Sequence, residues 1–289
     1  SQRRSQRTNG GSAGNAQTVE KEMKQHYKPM LAQPAKTAFT SKEWIFEVKW
    51  DGIRAISYIN ADLSIKSRNN KELKQNFPEL EELKNLTKNT VLDGEIVTIT
   101  DGKADFQTLI ERNRATSTHK IQYLAQKSPA TYVVFDIIEK DAKPLVNLPL
   151  IERKRILKES LKEGKNVVLS VFVEEEGEAY YEAALKKGLE GIMAKKKNSP
   201  YEPGARSSNW LKIKKIAACD CTIFGYTKGE GKRQETFGAL ILGLYDKAKP
   251  VYVGKVGTGF SDDEMHRLSA AFKSLETLER TLEGVDVSE

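Results

Sequence analysis

The residues of this chain best suited to chemistry are charged side chains set into otherwise apolar, strand-like runs. Lys49 stands in Glu47-Val48-Lys49-Trp50-Asp51-Gly52-Ile53-Arg54, where a β-type pattern ends and turns through a glycine. Glu95 interrupts Val91-Leu92-Asp93-Gly94-Glu95-Ile96-Val97, and Glu190 precedes the run Gly191-Ile192-Met193-Ala194-Lys195. In Trp210-Leu211-Lys212-Ile213-Lys214 two lysines lie two residues apart, so a strand projects both from one face. Phe135 lies inside Tyr132-Val133-Val134-Phe135-Asp136-Ile137-Ile138, and Arg68 and Arg206 flank further runs. Hard carboxylate oxygens suit Mg²⁺, guanidinium forks bind phosphate through paired hydrogen bonds, and lysines act on phosphate as point charges. Each residue alone also has a plain reading. A strand-end lysine is ordinarily a solvated cation, a strand-end carboxylate a surface acid, and an aromatic within a strand a core residue.

The elements that would carry these residues are mostly strands. Trp44 to Trp50, Ala55 to Ile59, Leu63 to Ser67 and Thr90 to Thr100 read as β runs, with Asn60-Ala61-Asp62 as a turn between the second and third. Helical spacing appears at Phe77 to Leu86, Phe106 to Arg114, Leu150 to Leu161 and Gly177 to Lys187. Strands outnumber helices without regular alternation, which argues for an antiparallel α+β domain and against a doubly wound parallel sheet. After Lys215 come three more strand-like runs with Gly-rich connections, Asp220 to Tyr226, Ala239 to Tyr245 and Val251 to Gly257, then a helix from Asp262 to about Leu275. A small all-β barrel of the OB type accommodates them. The resulting division is a disordered tail or linker over 1–27, a larger domain over 28–215 and the small domain over 216–289.

Composition bounds the class. The 289 residues hold 47 Lys and Arg against 40 Asp and Glu, a net charge of +7. Residues 1–28 hold six basic against two acidic side chains, residues 29–214 hold 31 against 26, and residues 215–289 hold 10 against 12. The excess permits a polyanionic partner without requiring one. No run approaches the roughly 18 apolar residues of a membrane span. Cys219 and Cys221 are too close for a sensible disulfide and too few for a zinc site, so a reducing cytoplasm is expected.

Taken in chain order, the runs at 47–54, 91–97, 132–138, 189–195 and 210–214 resemble the motif set of the covalent nucleotidyltransferase superfamily, which holds DNA ligases, RNA ligases and mRNA capping enzymes. The match is closest to ATP-dependent DNA ligases. Lys28-Pro29-Met30-Leu31-Ala32, the Lys-Trp-Asp-Gly form of the first motif and Ser199-Pro200-Tyr201-Glu202-Pro203-Gly204-Ala205-Arg206-Ser207 are similar to the ligase module of bacterial ligase D, the multidomain end-joining enzyme. The resemblance runs from about Lys28 to Phe260. It implies an antiparallel-sheet nucleotidyltransferase (adenylation) domain followed by an OB-fold domain, and a monomer that seals nicked duplex DNA with ATP and Mg²⁺ or Mn²⁺. It further implies end-binding and polymerase components of end joining as partners, and a nucleoid-associated setting.

By that resemblance Lys49 attacks the α-phosphate of ATP and carries AMP. An amine attacks only when neutral, and a lysine amine in water is neutral in about one molecule in 10³ near pH 7.4, so neighbouring cations or metal must favour the neutral form. Lys212 and Lys214 match α-phosphate contacts, Glu190 a metal ligand, and Glu95 a ribose or metal contact. Phe135 matches the aromatic that stacks on adenine, with Ile192 or Met193 as the opposite cover, Glu47 the adenine reader and Arg54 the ribose contact. Arg68 and Arg206 match positions that reach phosphates of nucleotide or DNA. Lys195, Lys196 and Lys197 form a basic run expected on a DNA-backbone surface, as does the loop Lys228 to Arg233. The sixth, basic motif of the family is not evident before Glu289, so an incomplete OB domain and slow or absent self-adenylylation are expected, with sealing of an already adenylylated nick less affected. The alternatives are an RNA ligase or capping-type enzyme, and a non-catalytic OB-type nucleic-acid-binding module. An NAD-dependent ligase is disfavoured, since its nicotinamide, zinc and hairpin modules have no counterpart.

Overall fold

A computed structural model describes residues 26–100, 103–215, 219–277 and 282. The expected tail, up to residue 25, lies outside them, as do 278–281 and 283–289, within the C-terminal stretch that lacks an evident sixth motif. The chain divides into two compact units, Ser1–Lys215 and Ile216–Glu289. Among the described residues no helix is long and apolar enough to cross a membrane.

In chain order the first unit runs β1 (Leu31–Pro34), β2 (Ser41–Val48), β3 (Ile53–Ile59), β4 (Leu63–Ser67), α1 (Leu83–Leu86), β5 (Thr90–Thr100), β6 (Lys103–Ala104), α2 (Phe106–Arg114), α3 (Thr118–Lys127), β7 (Ala130–Lys140), β8 (Lys143–Pro144), α4 (Leu150–Ser160), β9 (Val167–Leu169), β10 (Phe172–Glu175), α5 (Gly177–Lys186), β11 (Gly191–Lys196) and β12 (Arg206–Lys214). One sheet has the order β1-β12-β11-β2-β10, and the other has β4-β3-β5-β7-β8 with β6 beside β5 and β9 beside β7. Pairing is antiparallel except for β1 with β12 and β7 with β9. The α+β expectation therefore holds, with two parallel additions at short strands.

Alternation along the strands sorts each sheet into two faces. In the first sheet Phe46, Ile192, Ala194 and Ile213 pack with Ala184, Tyr180 and Tyr181 of α5. In the second, Ala55, Leu92, Ile96, Tyr132 and Val134 face a layer containing Leu80, Leu83, Leu109, Leu157 and Leu161. The opposite faces meet in a smaller apolar cluster, where Ile56, Tyr58, Val91, Phe135 and Ile138 of the second sheet pack with Trp210 of the first. Burying each such Leu, Ile or Phe stabilises by about 1.5–3 kcal/mol.

Three sequence expectations need adjustment. The helix expected over Phe77 to Leu86 is instead two short 3₁₀ segments, Lys74–Asn76 and Pro78–Glu82, followed by α1. Phe77, Leu80, Leu83 and Leu86 recur every three residues, the period of a 3₁₀ turn, and Pro78 opens the second segment. Helix α3 was not foreseen, because only Leu124 of it is buried and little apolar period is visible. The four-residue strands β1 and β10 are likewise too short to read from alternation.

The second unit is an antiparallel sheet of β13 (Thr222–Lys228), β14 (Phe237–Asp246) and β15 (Lys249–Val256) with α6 (Asp262–Lys273). Phe237 and Leu240 pack on Met265, Leu268 and Phe272 of α6. Ser261 caps that helix, its Oγ accepting from the Glu264 amide while the Glu264 carboxylate accepts from the Ser261 amide. Arg233, in the loop proposed to meet DNA, donates to the Gly257 carbonyl at 2.6 Å and so braces the fold.

Helix α4 is tied to β7 by a buried ion pair. Arg153 Nε and Nη2 donate to Asp136 Oδ1 and Oδ2 at 2.8 and 2.9 Å, and both side chains are fully buried. Asp136→Ala leaves that guanidinium buried and uncompensated, which costs about 3–5 kcal/mol. Urea denaturation followed by tryptophan fluorescence, which samples Trp44, Trp50 and Trp210 in the first unit, should show the loss.

Candidate functional site

A pocket of about 230 Å³ opens between the inner faces of the two sheets of the first unit. Strand register builds one wall. Glu47 of β2, Met193 of β11 and Lys212 of β12 are cross-strand partners in one row. Two residues beyond Glu47, just past the end of β2, comes Lys49, whose amide donates to the Gly191 carbonyl at 3.0 Å. Gly191 has φ +151°, and a Cβ there would lie 2.0 Å from the Ile213 carbonyl oxygen, so the close β11–β12 approach requires glycine. Trp210, two residues before Lys212, lines the same pocket.

The second sheet supplies Arg54, Glu95 and Phe135. Arg54 and Glu95 are cross-strand partners on β3 and β5. Gly52 lets β3 begin against β5: a Cβ there would stand 2.3 Å from the Ile96 carbonyl oxygen and 2.9 Å from Glu95 Cγ. Arg54 is held in a fork by buried Asp93, with Nε and Nη2 at 2.6 and 2.7 Å from the two carboxylate oxygens. Tyr201 donates to Asp93 Oδ2 at 2.6 Å, which ties the loop before β12 to the same carboxylate.

The structure brings Glu47, Lys49, Arg54, Arg68, Glu95, Phe135, Met193, Arg206 and Lys212 into the pocket lining. Glu190 and Lys214 adjoin it through Lys49. Glu190 Oε2 pairs with Lys49 Nζ, and Oε1 lies 2.5 Å from Lys214 Nζ. Arg206 Nη1 donates to the Ala32 carbonyl at 2.7 Å, which leaves the side chain exposed at the pocket's edge.

The basic run 195–197 is not one surface. Lys195 is fully buried, donating to Glu47 Oε2 at 2.8 Å, with its Nζ 4.1 Å from the Phe135 ring centroid and 4.3 Å from that of Trp210. It cannot serve as a solvated contact for a DNA backbone. Successive strand residues face opposite ways, so Lys195 shares the inner face with Met193 while Lys196 points out, its side chain 42% exposed and 3.8 Å from Glu43. Lys197 follows the strand and pairs with Glu174, so its charge is already engaged.

Sequence reasoning passed over Trp50, Trp210 and Lys154. Trp50 and Trp210 line the pocket, and neither indole Nε1 has an acceptor among the described residues. Trp210 was legible, since it alternates in step with Lys212 and Lys214. Lys154 of α4 pairs with Glu47 Oε1, a contact across 107 residues that no local pattern signals.

Burial and charge set the protonation of these groups. Burial pushes the Glu95 carboxyl up to about 7, helped by Asp93 and Asp51 and opposed by Arg54 and Lys49. Glu190 is also penalised by burial, yet the hydrogen bonds and charges of Lys214 and Lys49 hold it below the ordinary carboxylate range. Burial lowers the Lys212 ammonium, and the cations Lys214, Arg206 and Lys49 lower it further. Lys195 is brought down to about 8 by burial and by Lys154, against the pull of Glu47. Glu47 stays below its usual range, because Lys154 and Lys195 overcome complete burial.

Of the carboxylates expected to hold metal, Glu95 of β5 lines this pocket and Glu190, just before β11, adjoins it through Lys49. They fit a small hard cation that takes its remaining ligands from water and phosphate. No cluster of three or more His, Cys, Asp or Glu among the described residues forms an all-protein metal cage.

The family model described as ATP dependent DNA ligase domain matches residues 29–214, and that described as ATP dependent DNA ligase C terminal region matches residues 233–288. The multifunctional non-homologous end joining protein LigD of Mycolicibacterium smegmatis is 36% identical over 258 residues, 87% of this chain and 32% of LigD. A DNA ligase of Thermococcus fumicolans is 33% identical over 266 residues, 86% of this chain and 47% of that protein. The SPbeta prophage-derived DNA ligase-like protein LigB of Bacillus subtilis is 39% identical over 207 residues, 71% of this chain and 73% of LigB. The crystal structure of the ligase domain from M. tuberculosis LigD aligns with a TM-score of 0.56 at 25% identity, over 90% of this chain and 82% of that one. The chain thus spans about a third of the length of LigD and about half that of the Thermococcus protein.

The raised Glu95 group has a consequence for stability. Its folded pKa lies above its unfolded one, so the carboxyl contributes stability at low pH that is lost as pH rises from about 5 through about 7. Glu95→Gln, which keeps the neutral form, should melt close to the parent at pH 5 and higher than the parent at pH 8. Thermal unfolding at the two pH values, without added metal, measures it.

Proposed function

The chain belongs to the ATP-dependent DNA ligase family, and on that premise we propose that its first unit is an adenylyl-transfer centre acting with ATP on nicked duplex DNA. The observation that carries this reading is the meeting of Lys49 and Glu190, from the segments just after β2 and just before β11, with Glu95 of β5 and Lys212 and Lys214 of β12 around a single pocket. The Lys49 amine attacks the α-phosphorus of ATP, a P–N bond forms, and the P–O bond to pyrophosphate breaks with its electron pair leaving on pyrophosphate. The amine loses its proton on becoming a phosphoramidate. AMP then passes to the DNA 5′-phosphate, and the 3′-hydroxyl displaces it to join the strands.

The residues divide this work by position. Glu190, between Lys49 and Lys214, holds the nucleophile in place and is the nearest carboxylate to its ammonium. Lys212, Lys214 and Arg206 supply positive charge where negative charge develops on the transferred phosphoryl group. Arg68, which lines the pocket and a neighbouring basic cleft with Lys28 and Lys66, suits a phosphate of nucleotide or DNA. Mg²⁺ or Mn²⁺ held by Glu95 and Glu190 would neutralise phosphate oxygens.

At the other end of the pocket, Phe135 and Met193 bound the space for the base. Phe135 now has cations as neighbours, Arg54 Cζ at 4.5 Å and Lys195 Nζ at 4.1 Å from its centroid. The Glu47–Lys195 pair offers an acceptor and a donor, complementary to the donor amino group and acceptor ring nitrogen along one edge of adenine. The exposed Lys196 suits a DNA backbone. The end-joining setting, with end-binding and polymerase components as partners, is carried by the printed name of the LigD relative.

Incubation of the chain with α-labelled ATP and Mg²⁺ should give a covalent adenylate that survives denaturation, and Lys49→Ala should abolish it. Nicked duplex DNA should then be sealed in preference to RNA ends. No adduct on the parent chain, or an undiminished adduct on Lys49→Ala, defeats the reading.

A further inference from the structure

Glu47 is shared by two buried lysines that come from different parts of the fold. Its Oε1 pairs with Lys154 Nζ from α4, and its Oε2 accepts from Lys195 Nζ at 2.8 Å and from Ser170 Oγ at 3.2 Å. The side chains of Lys154, Lys195 and Glu47 are 6%, 2% and 2% exposed, so two ammoniums and one carboxylate lie out of water with a net positive charge. Glu47 and Lys195 line the pocket, whereas Lys154 does not.

Anchoring of the helix alone does not account for Lys154. Its neighbour Arg153 already ties α4 to Asp136 with a two-pronged buried pair, and Leu150 and Leu157 bury the helix's apolar face. Adding a second buried cation to the same helix carries a desolvation cost. What Lys154 does uniquely is occupy one oxygen of Glu47. With Oε1 paired to Lys154 and Oε2 accepting from Lys195 and Ser170, the carboxylate is held from both sides. Lys195, which lines the pocket, is in turn seated over the Phe135 and Trp210 rings.

We propose that Lys154 is a positioning residue for nucleotide recognition, acting through Glu47 to hold the Lys195 ammonium at the base end of the pocket. The inference rests on the reading of that pocket as an ATP site. It names a residue on α4, outside the binding surface, as a determinant of how well the base is held and distinguished.

The test uses the full chain and compares Lys154→Met, Lys154→Arg, Glu47→Gln and the double variant Glu47→Gln/Lys154→Met in self-adenylylation. For Lys154→Met the KM for ATP should rise about tenfold while the rate at saturating ATP changes less than about threefold, the pattern of lost binding made equally in ground and transition state. The preference for ATP over GTP should fall with it, and Lys154→Arg should restore both. In the Glu47→Gln background Lys154→Met should add less than about twofold, because residues acting through one shared partner are not additive. Should Lys154→Met fail to melt cooperatively, Lys154→Gln, which keeps an N–H donor without the charge, replaces it with the same outcomes. An unchanged KM and ATP preference, a full effect surviving in the Glu47→Gln background, or no rescue by arginine overturns the proposal. A parent chain that forms no adenylate overturns instead the ATP-site reading on which it stands.

Discussion

The register of β2 against β11 is the constraint on which the site depends. The bond from the Lys49 amide to the Gly191 carbonyl belongs to a ladder in which Met193 stands opposite both Glu47 and Lys212. A slip of β2 by one residue would turn Glu47 toward α5 and bring Phe46 into the pocket. The apolar cluster on the outer face therefore does more than stabilise: burying it in one register is what aims the charged residues inward. The glycines follow from the same geometry. Gly191 and Gly52 stand where a side chain would collide with a neighbouring strand's carbonyl, and larger residues would move Lys49's partner strand or Glu95.

Around that frame the charges are unevenly compensated, in a way that suits an anionic ligand. Glu190 is the carboxylate shared by Lys49 and Lys214, and burial together with the charges of Lys214, Arg206 and Lys49 lowers the neighbouring Lys212 ammonium. Two unit charges about 4 Å apart interact by about 4 kcal/mol at an effective dielectric near 20. Crowding cations around one acid is therefore costly until an anion enters. The deeper end of the pocket is different, because its cations are locked. Arg54 is clasped by Asp93, and Lys195 and Lys154 share Glu47. One end of the pocket thus presents cations that outnumber the carboxylate they share, and the other presents charges already oriented beside aromatic rings.

Most strands and helices that carry the site are visible in one dimension, because each buries a face and leaves a period. Leu63–Ser67, Thr90–Thr100 and Phe106–Arg114 have the bounds that alternation or helical spacing suggests, and β2 and α4 differ by a few residues at their ends. Where burial is slight or the element very short, as in α3 and β1, the period is absent and so was the expectation. The run Lys195-Lys196-Lys197 shows the opposite difficulty. Three like residues in sequence suggest one basic surface, but a pleated strand separates them, and only contact with Glu47, 148 residues away, makes a buried Lys195 tolerable.

The amino-acid sequence by itself determined the chemical inventory of this protein: a lysine before Asp-Gly, two carboxylates and a lysine pair set in apolar strands, in an order that marks the ligase family. It also determined the α+β class, since periodicity is a local property of the chain. The tertiary structure alone decided which of those charges are free and which are spent. Asp93 and Glu47 engage Arg54, Lys154 and Lys195, and these partnerships span from 39 to 148 residues. Desolvation and pairing depend on distances in space, and no spacing along the chain encodes them.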